Sequence, residues 1–419
     1  MIAHILSTGE EVLLGDITDT NAAFLARRLK ESGIRTQKTY TVGDDRAVLA
    51  ETLRAIAGEA EICIVTGGLG PTVDDVTAEA CADAASDTLV ESSTALAGMR
   101  AYFKRRGFEL TPENRKQALL PATAKILVNR HGTAPGFYIT INHCLFFFLP
   151  GVPSEMKPMF TDQVRPILLD RFKLDSPLRI DRITVFGLGE SKVGALLKGF
   201  DQAFPACKLG FRASFPMIEV KVTAGAADAA SNLSMDKAKS WVIQRLGTTV
   251  VSADGLSLAQ EVGRLLVSQG KTLAVAESCT GGLIASMMTD VSGSSDYFLF
   301  SGVTYSNEAK IGVLGVEKKT LIECGAVHER TAAQMALGAR KTAGADWAVS
   351  TTGIAGPTGG TKEKPVGLVC IGIAGKGFSR AQSYTFPYDD RLMNKQIFAA
   401  TALENLRQEL VKGAGSGSG

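Results

Sequence analysis

Short apolar runs alternate with amphipathic stretches from Met1 to about Phe172, a pattern that predicts a parallel sheet covered by helices. Ile2 to Leu6 reads as a strand, and Asn21 to Lys30 as a helix with Leu25 and Leu29 on one face and Gly33 as its stop. Ile34 to Val42 is a second strand, Arg46 to Ala57 a second helix, and Ile62 to Thr66 a buried third strand. The turn Gly67-Gly68-Leu69-Gly70-Pro71 then leads into a helix near Val76.

Lys173 to Pro177 reads as a linker, after which the order changes. A strand (Arg179 to Phe186), a helix (Lys192 to Phe200), two strands (Lys208 to Ala213, Ile218 to Ala224), a helix (Ala229 to Leu246) and a strand (Thr248 to Val251) follow the βαββαβ ferredoxin-like plan. This segment shows no obvious chemistry, which suits a spacer or a dimerisation module. Ser252 to Ser257 reads as a second linker, and from Leu258 a second α/β domain is expected, with a strand over Thr272 to Ala276. Gly413 to Gly419 is expected to be a flexible tail. The predicted organisation is therefore 1–172, 173–252, 253–412 and 413–419.

Composition narrows the function classes. The 419 residues suffice for two to four domains, and the net charge of +2 is too small for a dedicated nucleic-acid binder. The most apolar stretch, Cys144 to Val152, is too short to span a membrane, and the N-terminus lacks the marks of a signal peptide, so a cytoplasmic location is expected. Seven scattered cysteines and four histidines form no zinc pattern, so a metal site would rest on carboxylates.

Three loops carry candidate chemistry in the C-terminal third. Glu277-Ser278-Cys279-Thr280-Gly281-Gly282 joins a strand to a helix, so a hydroxyl there faces free backbone N–H groups. Ser278 or Thr280 serves either as a reactive group or as a helix cap. Thr304 to Lys310 places Tyr305 and Lys310 near the next helix, and a desolvated lysine can activate a serine that has no histidine partner; each residue alone has an ordinary structural role. Thr351 to Gly360 forms a third, glycine-rich loop, suited to close approach by an anion.

Together, A-E-S-C-T-G-G, T-Y-S-N-E-A-K and T-G-I-A-G-P-T-G-G-T-K-E-K-P-V-G resemble the C-terminal domain of the competence-damage-inducible protein A (CinA) family, a nicotinamide mononucleotide amidohydrolase. The resemblance implies that Ser278, Tyr305 and Lys310 form the catalytic group, with no cofactor required. On that basis Ser278 attacks the amide, Lys310 takes its proton, and Tyr305 positions the base or protonates the leaving ammonia. The amides of Thr280, Gly281 and Gly282 would hold the oxyanion, Thr352 and Gly353 the nucleotide, and Arg391 a phosphate. Cys279, a rival nucleophile by chemistry alone, is expected in the core. Two departures from the family pattern stand out: Ser301 where glycine is usual, and His328 where serine is usual.

In the N-terminal third, Thr66 to Thr77 joins a strand end, a glycine turn and two carboxylates. Its N–H groups suit a phosphate and Asp74 and Asp75 a divalent ion, or the two carboxylates simply complement a helix dipole. With Thr8 to Gly15, Asp19-Thr20-Asn21, Asn114 to Ala118, Asn129 to Gly136 and Leu149 to Met156, this segment resembles the molybdopterin-binding fold in its CinA form. The resemblance implies a three-layer α/β domain with ADP-ribose pyrophosphatase activity that needs Mg²⁺, Mn²⁺ or Co²⁺. It assigns Asp74, Asp75 and Glu155 to metal or water, and Gly67, Gly68, Asn114 and Gly136 to the nucleotide. The whole chain is then expected to be a homodimeric, three-part α/β enzyme acting on nicotinamide mononucleotide and ADP-ribose, with a small ferredoxin- or KH-like middle domain. A molybdopterin nucleotidyltransferase is the alternative that leaves the C-terminal motifs without a task, and a competence-linked or DNA-damage-linked adaptor is the third; the near-neutral charge disfavours direct DNA binding.

Overall fold

A computed structural model describes residues 1–172, 178–225 and 229–415. The 173–177 linker expectation therefore lies outside the described residues. By contacts the chain divides into two compact units, Met1–Arg179 with Ala224–Asn232, and Ile180–Thr223 with Leu233–Gly419.

In the first unit, the strands β1 (Ile2–Thr8), β2 (Arg35–Val42) and β3 (Ile62–Thr66) are parallel. A small antiparallel pair, β4 (Leu89–Glu91) and β5 (Leu119–Pro121), stands apart. The strands β6 (Lys125–Leu127), β7 (Gly136–Ile141) and β8 (Cys144–Leu149) complete a six-stranded sheet ordered β2-β1-β3-β8-β7-β6. β8 is parallel to β3 and antiparallel to β7, so the sheet is mixed rather than wholly parallel. All six residues of β8 and all five of β3 are buried, because each strand has a neighbour on either side and a core on either face. Asp19 and Asp45 cap the helices Thr20–Glu31 and Arg46–Glu59, accepting backbone N–H bonds that the first turns cannot make internally.

The second unit holds two sheets. The strands β9 (Leu178–Phe186), β10 (Lys208–Ser214), β11 (Met217–Gly225) and β12 (Val250–Ser252) are ordered β10-β11-β9-β12, the ferredoxin-like arrangement expected from the βαββαβ order. The first helix of this layer stops at Leu196 rather than Phe200, ahead of Gly199 in the left-handed region at φ 91°. The segment 252–257 is pinned rather than loose. The Ser252 hydroxyl accepts from the amides of Asp254 and Leu256, and the Thr184 hydroxyl donates to the Leu256 carbonyl.

The strands β13 (Leu273–Glu277), β14 (Phe298–Val303), β15 (Trp347–Gly353), β16 (Leu368–Gly375) and β17 (Phe378–Thr385) form a sheet ordered β14-β13-β15-β16-β17. The first three strands are parallel and the last two antiparallel, so this sheet too is mixed. Thr351, Thr352 and Gly353 belong to β15 and not to the loop expected there. The closing helix, Arg391–Gly415, takes in the first residues of the expected flexible tail; residues 416–419 lie outside those described. No described helix is long and apolar enough to cross a membrane.

Candidate active sites

In each of the two larger sheets the chain leaves a central parallel strand toward one side and returns on the other. A crevice opens where the two directions part, at the C-terminal ends of the strands. β1 and β3 bound the first crevice, β13 and β15 the second.

At the second crevice, β13 ends in a turn at Ser278. The Ser278 amide donates to the Thr351 carbonyl of β15 (3.0 Å), and the hydroxyls of Thr280 and Thr351 meet at 2.7 Å. Lys310 lies on the helix Asn307–Leu314, which Ser306 caps. Its amine is 1 % exposed and sits 3.2 Å from Ser278 Oγ, 2.8 Å from the Thr304 carbonyl and 3.2 Å from the Tyr305 carbonyl. Burial pulls its pKa below the usual lysine value, which favours the neutral amine. A neutral amine has two N–H groups and one lone pair. With the two carbonyls taking the N–H groups, the lone pair is left for the serine hydroxyl.

The structure brings Ser278 and Lys310 together but places the Tyr305 phenol elsewhere. The tyrosine side chain is 63 % exposed, with its hydroxyl 3.4 Å from Arg391 Nη2. Its contribution to the pair is its main-chain carbonyl. Arg391 also donates to the Gly356 carbonyl (2.7 Å), so it joins the glycine loop to Tyr305 at the mouth of the site. Cys279 is buried, and burial pushes its thiol up to about 12, in keeping with a core residue.

The proposed oxyanion donors need revision. Glu277, fully buried, accepts from the amides of Gly282 (2.9 Å), Ile284 (3.1 Å) and Ala285 (2.9 Å), while the Gly281 amide donates to the Ser278 carbonyl (3.1 Å). Gly281 and Gly282 therefore shape the turn, at φ 60° and 92°, and their N–H groups are already engaged. The amides of Cys279 and Thr280 are the donors in this turn that no main-chain carbonyl among the described residues takes. Thr352 and Gly353 are likewise structural. The Thr352 hydroxyl donates to the Ala326 carbonyl (2.8 Å), and a Cβ at Gly353 would stand 2.4 Å from the Leu368 carbonyl oxygen on β16. His328 caps the helix Glu329–Ala343 through Nδ1, the task a serine performs at such a position, so this departure from the family pattern has a physical account.

Sequence reasoning missed two groups here, Glu277 and Lys395. A Cβ at Gly281 would lie 3.5 Å from Lys395 Nζ, which places a second cation one helical turn beyond Arg391. Their signals were a carboxylate immediately before the serine and an i, i+4 basic pair on the closing helix.

The first crevice is a cavity of about 550 Å³ lined by Gly67, Gly68, Asp74, Asp75 and Glu155 among others. Its wall carries six carboxylates, adding Glu11, Asp19 and Asp44, and includes no lysine, arginine or histidine. A Cβ at Gly67 (φ 111°) would stand 2.3 Å from the Thr8 carbonyl oxygen, so glycine is required there by the approach of β1 to β3. Asp75 staples its own turn by accepting from the amide and hydroxyl of Thr72. Glu155 accepts from Asn129 Nδ2 (2.6 Å). Asn114 completes a capping box with Thr111, and Gly136 is packed among Met159, Phe148 and Leu127; neither lines the cavity.

Asp44 was missed, although the Gly43-Asp44-Asp45 run after a predicted strand marked it. Burial raises its carboxyl above the ordinary value and the nearby charges of Glu11, Asp74 and Glu10 add to the rise, while a hydrogen bond from the Glu10 amide opposes it. Among the described residues no three His, Cys, Asp or Glu side chains converge to cage a metal ion.

Fold and crevices define a multidomain α/β protein with a candidate site at each switch point. A family model described as the CinA C-terminal domain matches residues 256–410, and one described as a probable molybdopterin binding domain matches residues 4–170. A CinA-like protein of Desulforapulum autotrophicum is 50 % identical over 99 % of this chain and 100 % of its own length. A CinA-like protein of Geobacter metallireducens is 44 % identical over 98 % and 100 %. Among solved structures, the competence/damage inducible protein CihA of Agrobacterium tumefaciens is 40 % identical, with a TM-score of 0.35 over 37 % of this chain and 97 % of that one. The chain belongs to the CinA family.

Proposed function

We propose that the second crevice hydrolyses the carboxamide of nicotinamide mononucleotide to nicotinate mononucleotide and ammonia. The observation that carries this reading is the buried Lys310 amine, held by two carbonyls, 3.2 Å from Ser278 Oγ. Ser278 attacks the amide carbon and its proton passes to Lys310. The amides of Cys279 and Thr280 receive the negative charge on the carbonyl oxygen, and Lys310 returns the proton as ammonia leaves. Water then attacks the acyl-serine and gives a proton to Lys310, which passes it to Ser278 Oγ as the ester bond breaks, restoring the hydroxyl and the neutral amine. Arg391 meets the substrate phosphate at the mouth. The amine activates the serine directly, so this reaction needs no metal. Ammonia release by the wild type and by Ser278→Ala tests the assignment; full activity in the variant would overturn it.

For the first crevice we infer a second activity, hydrolysis of the diphosphate of ADP-ribose to give AMP and ribose 5-phosphate. Six carboxylates on a wall with no basic lining residue, with Lys116 the cation that bears on Asp74 from behind the turn, disfavour a diphosphate unless cations come with it. Asp44 and Asp74 would hold a divalent ion here; among the described residues no closed protein cage is formed. When bound, a divalent ion supplies charge neutralisation at the diphosphate. AMP release from ADP-ribose with and without Mn²⁺ or Co²⁺ tests this; cleavage independent of metal would remove the carboxylate reading. Both substrates are fragments of NAD, which gives one cytoplasmic chain a reason to carry both sites.

A further inference from the structure

The four-stranded layer, which the sequence presents as a spacer, reaches the mouth of the second crevice. Between β17 and the closing helix, Phe386 to Asp390 run without regular structure and end at Arg391. The tip of the β10–β11 hairpin presents Phe215, whose ring meets Tyr388 edge-on with centroids 5.1 Å apart and planes at 85°. Met217, the first residue of β11, and Phe186, the last of β9, pack on the same apolar cluster as Phe386 and Tyr388.

From Tyr388 the contacts continue inward. Its carbonyl accepts from Asn394 Nδ2 (2.7 Å), and the same fully buried amide donates to the Ala355 carbonyl (3.1 Å). Ala355 precedes Gly356, whose carbonyl accepts from Arg391, and Arg391 touches the Tyr305 hydroxyl. Phe386 to Asp390 is an exposed or half-buried loop tied at its ends by the Phe386 amide to the Gly367 carbonyl and by Asp390 to the amides of Met393 and Asn394, and the Phe215 contact holds Tyr388 in its middle.

We propose that the β10–β11 hairpin is a positioning element of the amidase site, in which Phe215, through Tyr388, fixes the segment that presents Arg391 to the substrate phosphate. The proposal rests on the amidase reading for its kinetic effect and on packing alone for its structural one. Phe215 touches no reacting atom, so the effect falls on substrate binding and leaves the Ser278–Lys310 pair intact.

The test uses the full chain with Phe215→Ala, Phe215→Tyr, Tyr388→Ala and the double alanine variant. An edge-to-face pair of this kind supports a rise in KM for nicotinamide mononucleotide of about 2- to 10-fold in Phe215→Ala. The kcat and its pH profile stay near wild type, and Phe215→Tyr restores KM. The double variant is expected to be no worse than the worse single one, because both remove one contact. Hydrogen exchange supplies a readout free of activity: amides of residues 386–394 lose protection in Phe215→Ala and keep it in Phe215→Tyr. Unchanged KM in an active Phe215→Ala, equal defects in the alanine and tyrosine variants, or strictly additive singles would overturn the proposal and leave the amidase reading standing. A wild type that releases no ammonia would overturn the amidase reading, and the exchange pattern would then decide the buttress by itself.

Discussion

The two crevices occupy the same place in two α/β sheets and hold opposite chemistry. At β13 and β15 a buried amine faces a serine, within carbonyls and a carboxylate that is fully engaged by backbone N–H groups. At β1 and β3 a cavity is walled by carboxylates with no basic side chain. Backbone topology thus chooses where a ligand binds, whereas the residues just past the strand ends choose the charge it must bring. On the proposed readings, one site would carry its base within the protein and the other would take cations from solution.

The comparison is broken most severely at the serine–lysine pair. Ser278→Ala should lower ammonia release by at least about 10³-fold, and Lys310→Met by about 10²- to 10⁴-fold, with AMP release from ADP-ribose unchanged in both. Parallel loss of both activities would mean that the sites are not separate. Chelation provides the reciprocal test: EDTA should abolish AMP release and spare ammonia release, both followed in one reaction mixture. Next in size, Gly67→Ala should destabilise the protein by about 1–3 kcal/mol, because the new methyl meets the Thr8 carbonyl at a positive φ. Denaturant unfolding followed in the first unit measures this loss.

Smaller effects depend on pH. If Lys310 acts as the neutral amine of the proposed amidase, kcat/KM should fall as pH drops and the amine gains its proton, with the inflection below the ordinary lysine value of 10.5. An inflection at or above that value would remove desolvation as the activating influence. For Asp44 the sign runs the other way. A carboxyl with a raised folded pKa favours its protonated form, so its penalty grows as pH rises through that pKa. Asp44→Asn should therefore raise Tm slightly, by about 1–2 °C near neutral pH and not at all in acid, while weakening metal-dependent cleavage.

Much of the fold was legible because strong signals coincided. Strand β3 was read to the residue, since four apolar positions and Thr66 lie between Glu61 and the glycine turn, and the βαββαβ order of the small layer was visible in periodicity alone. The antiparallel edges of both large sheets were not legible, because pairing direction depends on connections that hydrophobic pattern does not encode. At the sites, Ser278 and Lys310, singled out from their loops, stand 3.2 Å apart, whereas the Gly281 and Gly282 amides and the Thr352 hydroxyl are engaged within the protein. A backbone N–H or a hydroxyl near a turn looks available in sequence, and only the fold reveals that the Ser278 carbonyl, Glu277 and the Ala326 carbonyl have already claimed them. Asn114 and Gly136 were displaced from the cavity for a related reason: a helix cap and a packing glycine leave the same mark as a ligand loop.

The wholly buried strand β8 has a consequence for biosynthesis. It takes its place between β3 and β7, yet some eighty residues separate it from β3 along the chain. Until the ribosome has released residue 149, β3 offers an open edge, and once Cys144 to Leu149 emerge, six uncharged residues, three of them phenylalanines of high strand propensity, are exposed together. The nascent chain is most vulnerable to association with its neighbours in that interval, which closes when the strand slots into the sheet.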